Sequence, residues 1–94
     1  DLDICASISA DGKSLHVTMF NRDPEKEQDA EIALTGAPLA GAAAPLKLLT
    51  SPRLTPYAIF EQRTEMLEVN QEGRVRIHLP RYAVGLMRIA LRIP

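Results

Sequence analysis

Tryptophan is absent from this chain of 94 residues, and cysteine and the other aromatic residues are rare. The single cysteine, Cys5, excludes an internal disulfide and any metal site built from several cysteines. Two tyrosines and two phenylalanines offer few of the rings on which sugar-binding and single-strand-binding modules stack their ligands. The net charge of −1 lacks the basic field that binding to nucleic acid requires, so we expect no nucleic acid partner.

Long apolar runs are also missing from the sequence. No segment is apolar over the roughly 20 residues that a membrane-spanning helix needs, so we expect no membrane partner. The chain begins at Asp1 without an initiator methionine, and no secretion signal is visible, which slightly favours a cytoplasmic location. Its length is that of one domain. We therefore interpret residues 1–94 as a single domain cut from a longer polypeptide.

A regular alternation of side chains dominates what is present, most clearly in the segment 15–34. The alternating apolar positions there are Leu15, Val17, Met19, Ala30, Ile32 and Leu34. A period of two indicates half-buried strands, because successive side chains of a strand point to opposite faces. Between the two strands, Asn21-Arg22-Asp23-Pro24 is typical of a turn.

The same pattern continues through the chain and predicts about seven short strands. We place them at residues 3–9, 14–21, 29–35, 46–50, 66–69, 74–79 and 83–93. The predicted connections include the Asp11-Gly12 turn, a charged loop at 23–28 and longer loops at 36–45 and 51–64. With no amphipathic helix, this spacing predicts an all-β, antiparallel β-sandwich, either jelly-roll-like or immunoglobulin-like.

Two strands carry further expectations about their faces. In the strand 74–79, the residues Val75, Ile77 and Leu79 are expected to point into the core. In the first strand, the apolar residues Ile4, Ala6 and Ile8 share one face. The first half of the last strand is apolar on both faces, which favours a central position in its sheet.

The sequence shows no convincing catalytic or metal-binding group. His16 and His78 lie on predicted strands with solvent-facing side chains and no ligand-like spacing. Glu61, Glu65 and Glu68 all fall in one local segment, whereas glycosidases hold two carboxylates across a cleft. We therefore predict no catalytic residue, no metal and no cofactor in this chain.

Five residues are candidates for contact with another domain or with a sugar. Tyr57, Phe60 and Glu61 lie in the proline-bounded loop 51–64, and packing under this loop or against a neighbouring domain is favoured over sugar stacking. Tyr82 is a further aromatic candidate. Arg22 either belongs to a simple strand-ending turn or makes an interdomain contact.

Four segments, in this order, resemble the C-terminal β-sandwich of α-L-arabinofuranosidases of glycoside hydrolase family 51. They are LDICASISADGKSLHVTMFNRDP, AEIALTG, TPYAIFEQRTEMLEV and VRIHLPRYAVGLMRIAL. The resemblance spans nearly the whole chain. Two positions depart from it: Ile59 stands before Phe60 where that family usually has an asparagine, and Arg81-Tyr82 replaces a small polar residue in the last turn.

The resemblance implies a specific division of labour. Catalysis would belong to a separate (β/α)₈ barrel with two glutamates, neither of which lies in this chain. The sandwich would pack against that catalytic barrel domain of the same polypeptide and support a homo-oligomer. Strands that precede the barrel would join the sandwich, so this chain alone would leave a sheet edge open, and open edges favour self-association.

Three functional hypotheses follow. The first is a non-catalytic accessory domain of an α-L-arabinofuranosidase-like glycoside hydrolase, which removes terminal arabinofuranose from arabinose-containing polysaccharides. The second is a carbohydrate-binding module, which requires Tyr57, Phe60 or Tyr82 to form an exposed stacking surface. The third is an immunoglobulin-like domain of an unrelated protein.

Overall fold

Antiparallel strands form two sheets in the computed structural model, which describes residues 2–34, 43–50 and 61–91. The larger sheet has the strand order β1-β2-β7-β4-β5, and the smaller sheet pairs β3 with β6. The strands are β1 (Leu2–Ile8), β2 (Ser14–Asn21), β3 (Gln28–Ala33), β4 (Ala43–Thr50), β5 (Glu61–Glu68), β6 (Arg74–Leu79) and β7 (Val84–Ala90). The prediction of an all-β sandwich of seven strands is confirmed.

The core lies between the two sheets and follows the alternation of the sequence. The prediction for β6 is confirmed, since Val75, Ile77 and Leu79 are buried while the residues between them are exposed. They pack against the inward-facing residues of β2, β4 and β7. The buried hydrophobic residues of those three strands are Val17, Met19, Ala44, Leu46, Leu48, Met87 and Ile89.

Strand β7 is central in the larger sheet, as its apolar character predicts, because it pairs with β2 on one side and β4 on the other. Gly85 is the second residue of β7 and is buried. A Cβ atom at this position would come within 3.1 Å of Leu79 Cδ2 and 3.3 Å of Leu46 Cδ1. A glycine is therefore what allows the smaller sheet to approach β7 this closely.

Two predicted boundaries are wrong. Strand β4 begins at Ala43, so Pro45 belongs to a strand; it pairs with Met66 but lies one residue outside the ladder with β7, which begins at Leu46. Strand β5 begins at Glu61 and includes four residues that were predicted as loop. Its first four residues, EQRT, are polar and exposed on both faces because β5 is an edge strand, so this part lacks the alternation that identifies a half-buried strand.

Several other predicted features lie outside the described residues. These are most of the loop 36–45, residues 51–60 of the loop 51–64, and the end of the last predicted strand at 92–93. Within the described part, β7 ends at Ala90 and Leu91 adds a single bridge.

The apolar residues of strand β1 share one face, as predicted, but they are largely exposed. Ile4, Ala6 and Ile8 pair with the inward-facing Met19, Val17 and Leu15 of β2, which confirms that they share the inner face. Nevertheless, Ile4 is 49% exposed and Ile8 is 64% exposed. The smaller sheet has two strands against five, and it does not cover this edge of the larger sheet.

Candidate functional site

One end of the sandwich is organised by Asn21, the last residue of β2. Its side chain is fully buried, and its Nδ2 donates to the carbonyl oxygens of Lys26 at 2.9 Å and Pro80 at 3.0 Å. Its Oδ1 accepts the backbone N–H of Asp23 at 3.0 Å. A single amide thus joins the β2–β3 loop to the β6–β7 turn, and every buried polar atom it carries is satisfied.

Asp23 strengthens this connection on the loop side. Its carboxylate accepts the backbone N–H groups of Glu25 at 2.9 Å and Lys26 at 3.0 Å. These two hydrogen bonds, from Glu25 first, lower the pKa of the Asp23 carboxyl below its usual value. The carbonyl of Asp23 accepts the N–H of Tyr82 at 2.9 Å, so the loop and the β6–β7 turn are also joined through their backbones.

Tyr82 occupies an unusual backbone position in the β6–β7 turn. Its φ is +50°, a left-handed conformation that costs a residue with a Cβ roughly 1–2 kcal/mol relative to the right-handed form. Its ring packs edge-on against Phe20, with the ring centroids 5.3 Å apart, and the residue stays 37% exposed. Phe20 therefore positions a strained, partly exposed tyrosine at the surface.

Arg22 lies beside this pair of rings. Its Nε is 3.0 Å from the Asp3 carboxylate, and both side chains are more than half exposed. Since Asp3 pairs with Phe20 across β1 and β2, the ion pair lies at the same end of the sheet. We call Asp3, Phe20, Arg22 and Tyr82 the Tyr82 corner.

The structure brings together two of the five predicted contact residues. Arg22 and Tyr82 both belong to the Tyr82 corner, where Arg22 pairs with Asp3 and Tyr82 packs on Phe20. Glu61 begins β5, three strands from β2 in the sheet order, which corresponds to about 14 Å at the usual strand spacing. Tyr57 and Phe60 lie outside the described residues. Glu65 and Glu68 point to opposite faces of β5, so the three glutamates form no shared carboxylate site.

The outer face of the larger sheet is a surface that the sequence reasoning missed. A groove of about 270 Å³ runs over it between β2, β4, β5 and β7. At its centre Leu86 is 39% exposed, with Lys47 opposite it on β4. The groove is lined by His16, Pro45, Lys47, Thr64, Leu86, Met87 and Arg88. The signal was present in β7, whose apolar residues on both faces predict a second covered surface as well as a central position.

Cationic side chains dominate the charge of this groove. Its lining includes Lys47 and Arg88 but no carboxylate. Arg88 donates from Nε to the Ser14 hydroxyl at 3.3 Å, which leaves the rest of its guanidinium for another acceptor. The groove therefore combines exposed apolar side chains with positive charge.

The outer face of the smaller sheet has a different character. A cavity of about 510 Å³ lies over it and is lined largely by charged residues. Glu31 pairs with Arg74 at 3.2 Å and with Arg76 at 3.4 Å. Opposite charges face each other across β3 and β6, so this surface is solvated and internally compensated.

His78 belongs to the same compensated surface. Its Nδ1 is 2.6 Å from the Asp29 carboxylate and its Nε2 is 3.3 Å from the Glu27 carboxylate. The hydrogen bond with Asp29, followed by the charges of Asp29 and Glu27, raises the pKa of His78 above 6.5. Nucleophiles and an oxyanion site are absent from this cluster, and its chemistry is that of a surface ion pair.

The part of the chain that the structure describes contains neither a metal-binding cluster nor a membrane-spanning helix. No group of three or more histidine, cysteine, aspartate or glutamate side chains is arranged to hold a metal ion there. That part also contains no helix with the length and apolar character needed to cross a membrane.

Solved structures share this architecture. The chain superimposes on the GH51 α-L-arabinofuranosidase of Thermotoga petrophila with a TM-score of 0.78 and 22% identity, over 93% of this chain and 18% of that one. An arabinose complex of the Thermotoga maritima α-L-arabinofuranosidase gives 0.74 and 20%, over 96% of this chain and 19% of that one. The fold is that of one part of these glycoside hydrolases.

The same fold also occurs in a hydrolase with another substrate. The family 44 xyloglucanase of Paenibacillus polymyxa superimposes with a TM-score of 0.67 and 15% identity, over 95% of this chain and 16% of that one. The chain thus spans less than a fifth of each of these enzymes. No protein-family model matches the sequence, and no curated protein matches it either. The resemblance predicted from the four sequence segments is confirmed for the fold.

Proposed function

We propose that this chain is a non-catalytic accessory domain of an α-L-arabinofuranosidase-like glycoside hydrolase. In this proposal, a separate catalytic barrel of the same polypeptide removes terminal arabinofuranose from arabinose-containing polysaccharides, and the sandwich supports that barrel and its oligomer. The observation that carries the proposal is the superposition over nearly the whole chain on a minor part of larger glycoside hydrolases. A fold alone does not define a function, so the surfaces must supply the rest of the argument.

The outer face of the larger sheet is the surface best suited to contact the barrel. Sandwich strands that face water normally carry polar residues, as β3 and β6 do here. On the larger sheet, in contrast, Leu86 is exposed at the centre of the groove and Met66 on neighbouring β5 is 70% exposed. An apolar patch surrounded by Lys47 and Arg88 suits a partner surface with apolar residues and carboxylates.

The Tyr82 corner extends this surface. Phe20 pairs with Val84 of β7, which lies two residues before Leu86 on the same outer face. Tyr82, which packs on Phe20, thus continues the apolar patch towards Arg22. A tyrosine held in a left-handed conformation is strained, and strained residues of this kind cluster at functional contacts. We infer that Arg22 and Tyr82 belong to the interdomain contact.

We also propose that further strands of the same polypeptide complete this sandwich, and the size of the smaller sheet supports this. With two strands against five, it leaves Ile4 and Ile8 exposed on the inner face of β1. A segment of the same polypeptide that added to the smaller sheet would cover them and remove exposed apolar surface from water.

Arabinofuranose is proposed as the substrate on two grounds. Four of the superimposed structures are arabinofuranosidases. The order of the four sequence segments also resembles family 51, although Ile59 and Arg81-Tyr82 depart from it. A divergent arabinofuranosidase accounts for both the resemblance and the departures.

The carbohydrate-binding module is the second candidate, and Tyr82 is the observation in its favour. Sugar stacking needs a ring face that is flat and accessible. Tyr82 is partly exposed, but it is the one exposed aromatic residue of the described part, where Phe20 is half-buried beneath it. A single ring at a corner is a poor platform for a polymer, so we favour the support role.

A sugar titration followed by backbone amide NMR tests this choice. The chain is titrated with arabino-oligosaccharides and xylo-oligosaccharides up to millimolar concentration. The support role predicts no saturable shifts. Saturable shifts at Tyr57, Phe60 or Tyr82 that disappear in the matching alanine variant would instead establish a binding module.

A further inference from the structure

Strand β1 differs from the other edge of the larger sheet in its charge. Strand β5 carries Glu61, Arg63, Glu65 and Glu68 along its length, and such charges protect an edge against pairing with other strands. Strand β1, LDICASI, has one charged residue, Asp3, and that residue is already paired with Arg22. Among the described residues, β2 is its one hydrogen-bonded neighbour.

The hydrogen-bond pattern identifies which backbone groups of β1 point away from β2. The N–H of Ser9 donates to the carbonyl of Ser14 at 2.9 Å, so residues 9 and 14 form a hydrogen-bonded pair. Antiparallel pairing alternates, and residues 3, 5 and 7 of β1 therefore also bond to β2. The N–H and C=O groups of the even-numbered residues point to the open edge.

We propose that β1 pairs edge to edge with β1 of a second copy of this chain, antiparallel about a two-fold axis that passes beside Cys5. In this register Leu2 faces Ile8 of the second copy, and Ile4 faces Ala6 of the second copy. All four residues have outward-pointing backbone groups, so the two larger sheets become one continuous sheet across the axis.

Self-complementarity selects the second copy as the occupant and fixes the register. The cross-strand pairs on the inner face are all apolar, so the partly exposed Ile4 and Ile8 each gain an apolar neighbour in the same sheet. On the other face Asp3 meets Ser7 of the second copy, so no like charges oppose each other. A register shifted along the strands would leave part of the seven-residue strand unpaired.

Cys5 makes this register measurable, because it lies at the middle of β1 and is exposed. On the axis, the two Cys5 residues form a non-hydrogen-bonded pair with Cα atoms about 4.5 Å apart, within the range of a disulfide. The matched control is the double variant Cys5→Ser/Ser7→Cys, which keeps one exposed thiol on the same face. In the proposed register its two thiols lie about 14 Å apart along the strands.

The first experiment is oxidation of the full chain with diamide, which takes up the two electrons and two protons that the two thiols release. We expect the wild-type chain to form a disulfide-linked dimer rapidly, and the Cys5→Ser/Ser7→Cys variant to form it at least about tenfold more slowly. Equal rates in the two proteins would overturn the proposed register.

The second experiment is sedimentation of the reduced full chain and of two variants at Ala6. Ala6→Pro removes an N–H that points to the open edge, and proline is tolerated at such positions, so the monomer should keep its fold. Ala6→Val keeps the N–H and serves as the matched control. A single paired strand is a small interface, so we expect a weak dimer with a dissociation constant on the order of 100 μM, which Ala6→Pro abolishes and Ala6→Val retains.

A monomeric wild-type chain at the highest soluble concentration would overturn the proposal. Protection of the β1 edge amides from hydrogen exchange in such a monomer would show that another segment occupies the edge. If Ala6→Pro failed to fold, the comparison of the two cysteine positions would still show whether two β1 strands pair in the proposed register. The inference concerns self-association alone, so its failure would leave the proposed accessory role intact.

Discussion

At the scale of single residues, Asn21 is the side chain on which the end of the sandwich depends most. We predict that Asn21→Asp lowers the free energy of unfolding by about 2–4 kcal/mol, because a carboxylate cannot donate to the carbonyls of Lys26 and Pro80 and is buried against them. Chemical denaturation measures this loss. Asn70→Asp is the matched control, since its Oδ1 only accepts backbone N–H groups, from Glu72 and Arg74, and the change should be nearly neutral. Equal losses would contradict the role assigned to the Asn21 amide.

His78 makes a second prediction at this scale, which concerns pH. The pKa of His78 is raised in the folded chain by Asp29 and Glu27, relative to about 6.5 in the unfolded chain. Its contribution to stability is therefore fully present below pH 6.5 and is lost as the pH rises through the folded pKa. The unfolding free energies of wild type and His78→Gln should differ below pH 6.5 and converge at alkaline pH. Asp29→Asn should reduce the same difference, and a gap that widens with pH would contradict this account.

At the scale of strands, Gly85 tests how closely β7 and the smaller sheet approach. We predict that Gly85→Val lowers the free energy of unfolding by about 1–3 kcal/mol, because its side chain would push against Leu79 and Leu46. Ala90→Val on the exposed face of the same strand is the control and should change stability by less than about 0.5 kcal/mol. Thermal or chemical denaturation of both variants measures the difference. A neutral Gly85→Val would show that the core near β7 has spare volume.

The strands differ in how well the sequence predicts them, and burial explains the difference. Strands β2 and β6 have one buried and one solvated face, so their alternation predicts both their positions and their inward residues. Residues 61–64 of strand β5 are polar and exposed on both faces and lack this pattern, so the sequence predicts a loop there. Strand β4 was shortened because Pro45 and two alanines resemble a loop, although a proline is tolerated outside the ladder with β7.

The sequence identifies two residues of the candidate site but does not predict that they lie near each other. Arg22 and Tyr82 were each identified as contact residues, but their proximity depends on hydrogen bonds between distant segments. The Tyr82 N–H reaches the Asp23 carbonyl, and Asn21 reaches Pro80, which lies 59 positions away in the sequence. Sequence patterns report local structure, so such a junction becomes visible only when the strands are assembled.

At the scale of the whole molecule, the two outer faces of the sandwich differ in their charge and apolar character. The face of β3 and β6 is covered with ion pairs that compensate each other, which is what a solvated surface requires. The groove on the face of the larger sheet has the exposed Leu86 and two cationic side chains, but no carboxylate, among its lining residues. This asymmetry is the physical basis of our proposal that the sandwich docks through one face onto a catalytic barrel elsewhere in the polypeptide.

The most direct measurement uses the polypeptide that contains this chain, with Leu86→Asp as the variant on the docking face. Hydrolysis of a small arabinofuranoside and of a polymeric arabinan is followed before and after heating. We predict that both substrates are cleaved, that Leu86→Asp shortens the lifetime of activity at elevated temperature, and that the ratio of the two rates is unchanged. Arg76→Gln, on the opposite face, should leave that lifetime unaltered. A selective loss of activity on the polymer, or the absence of hydrolysis, would contradict the proposed accessory role.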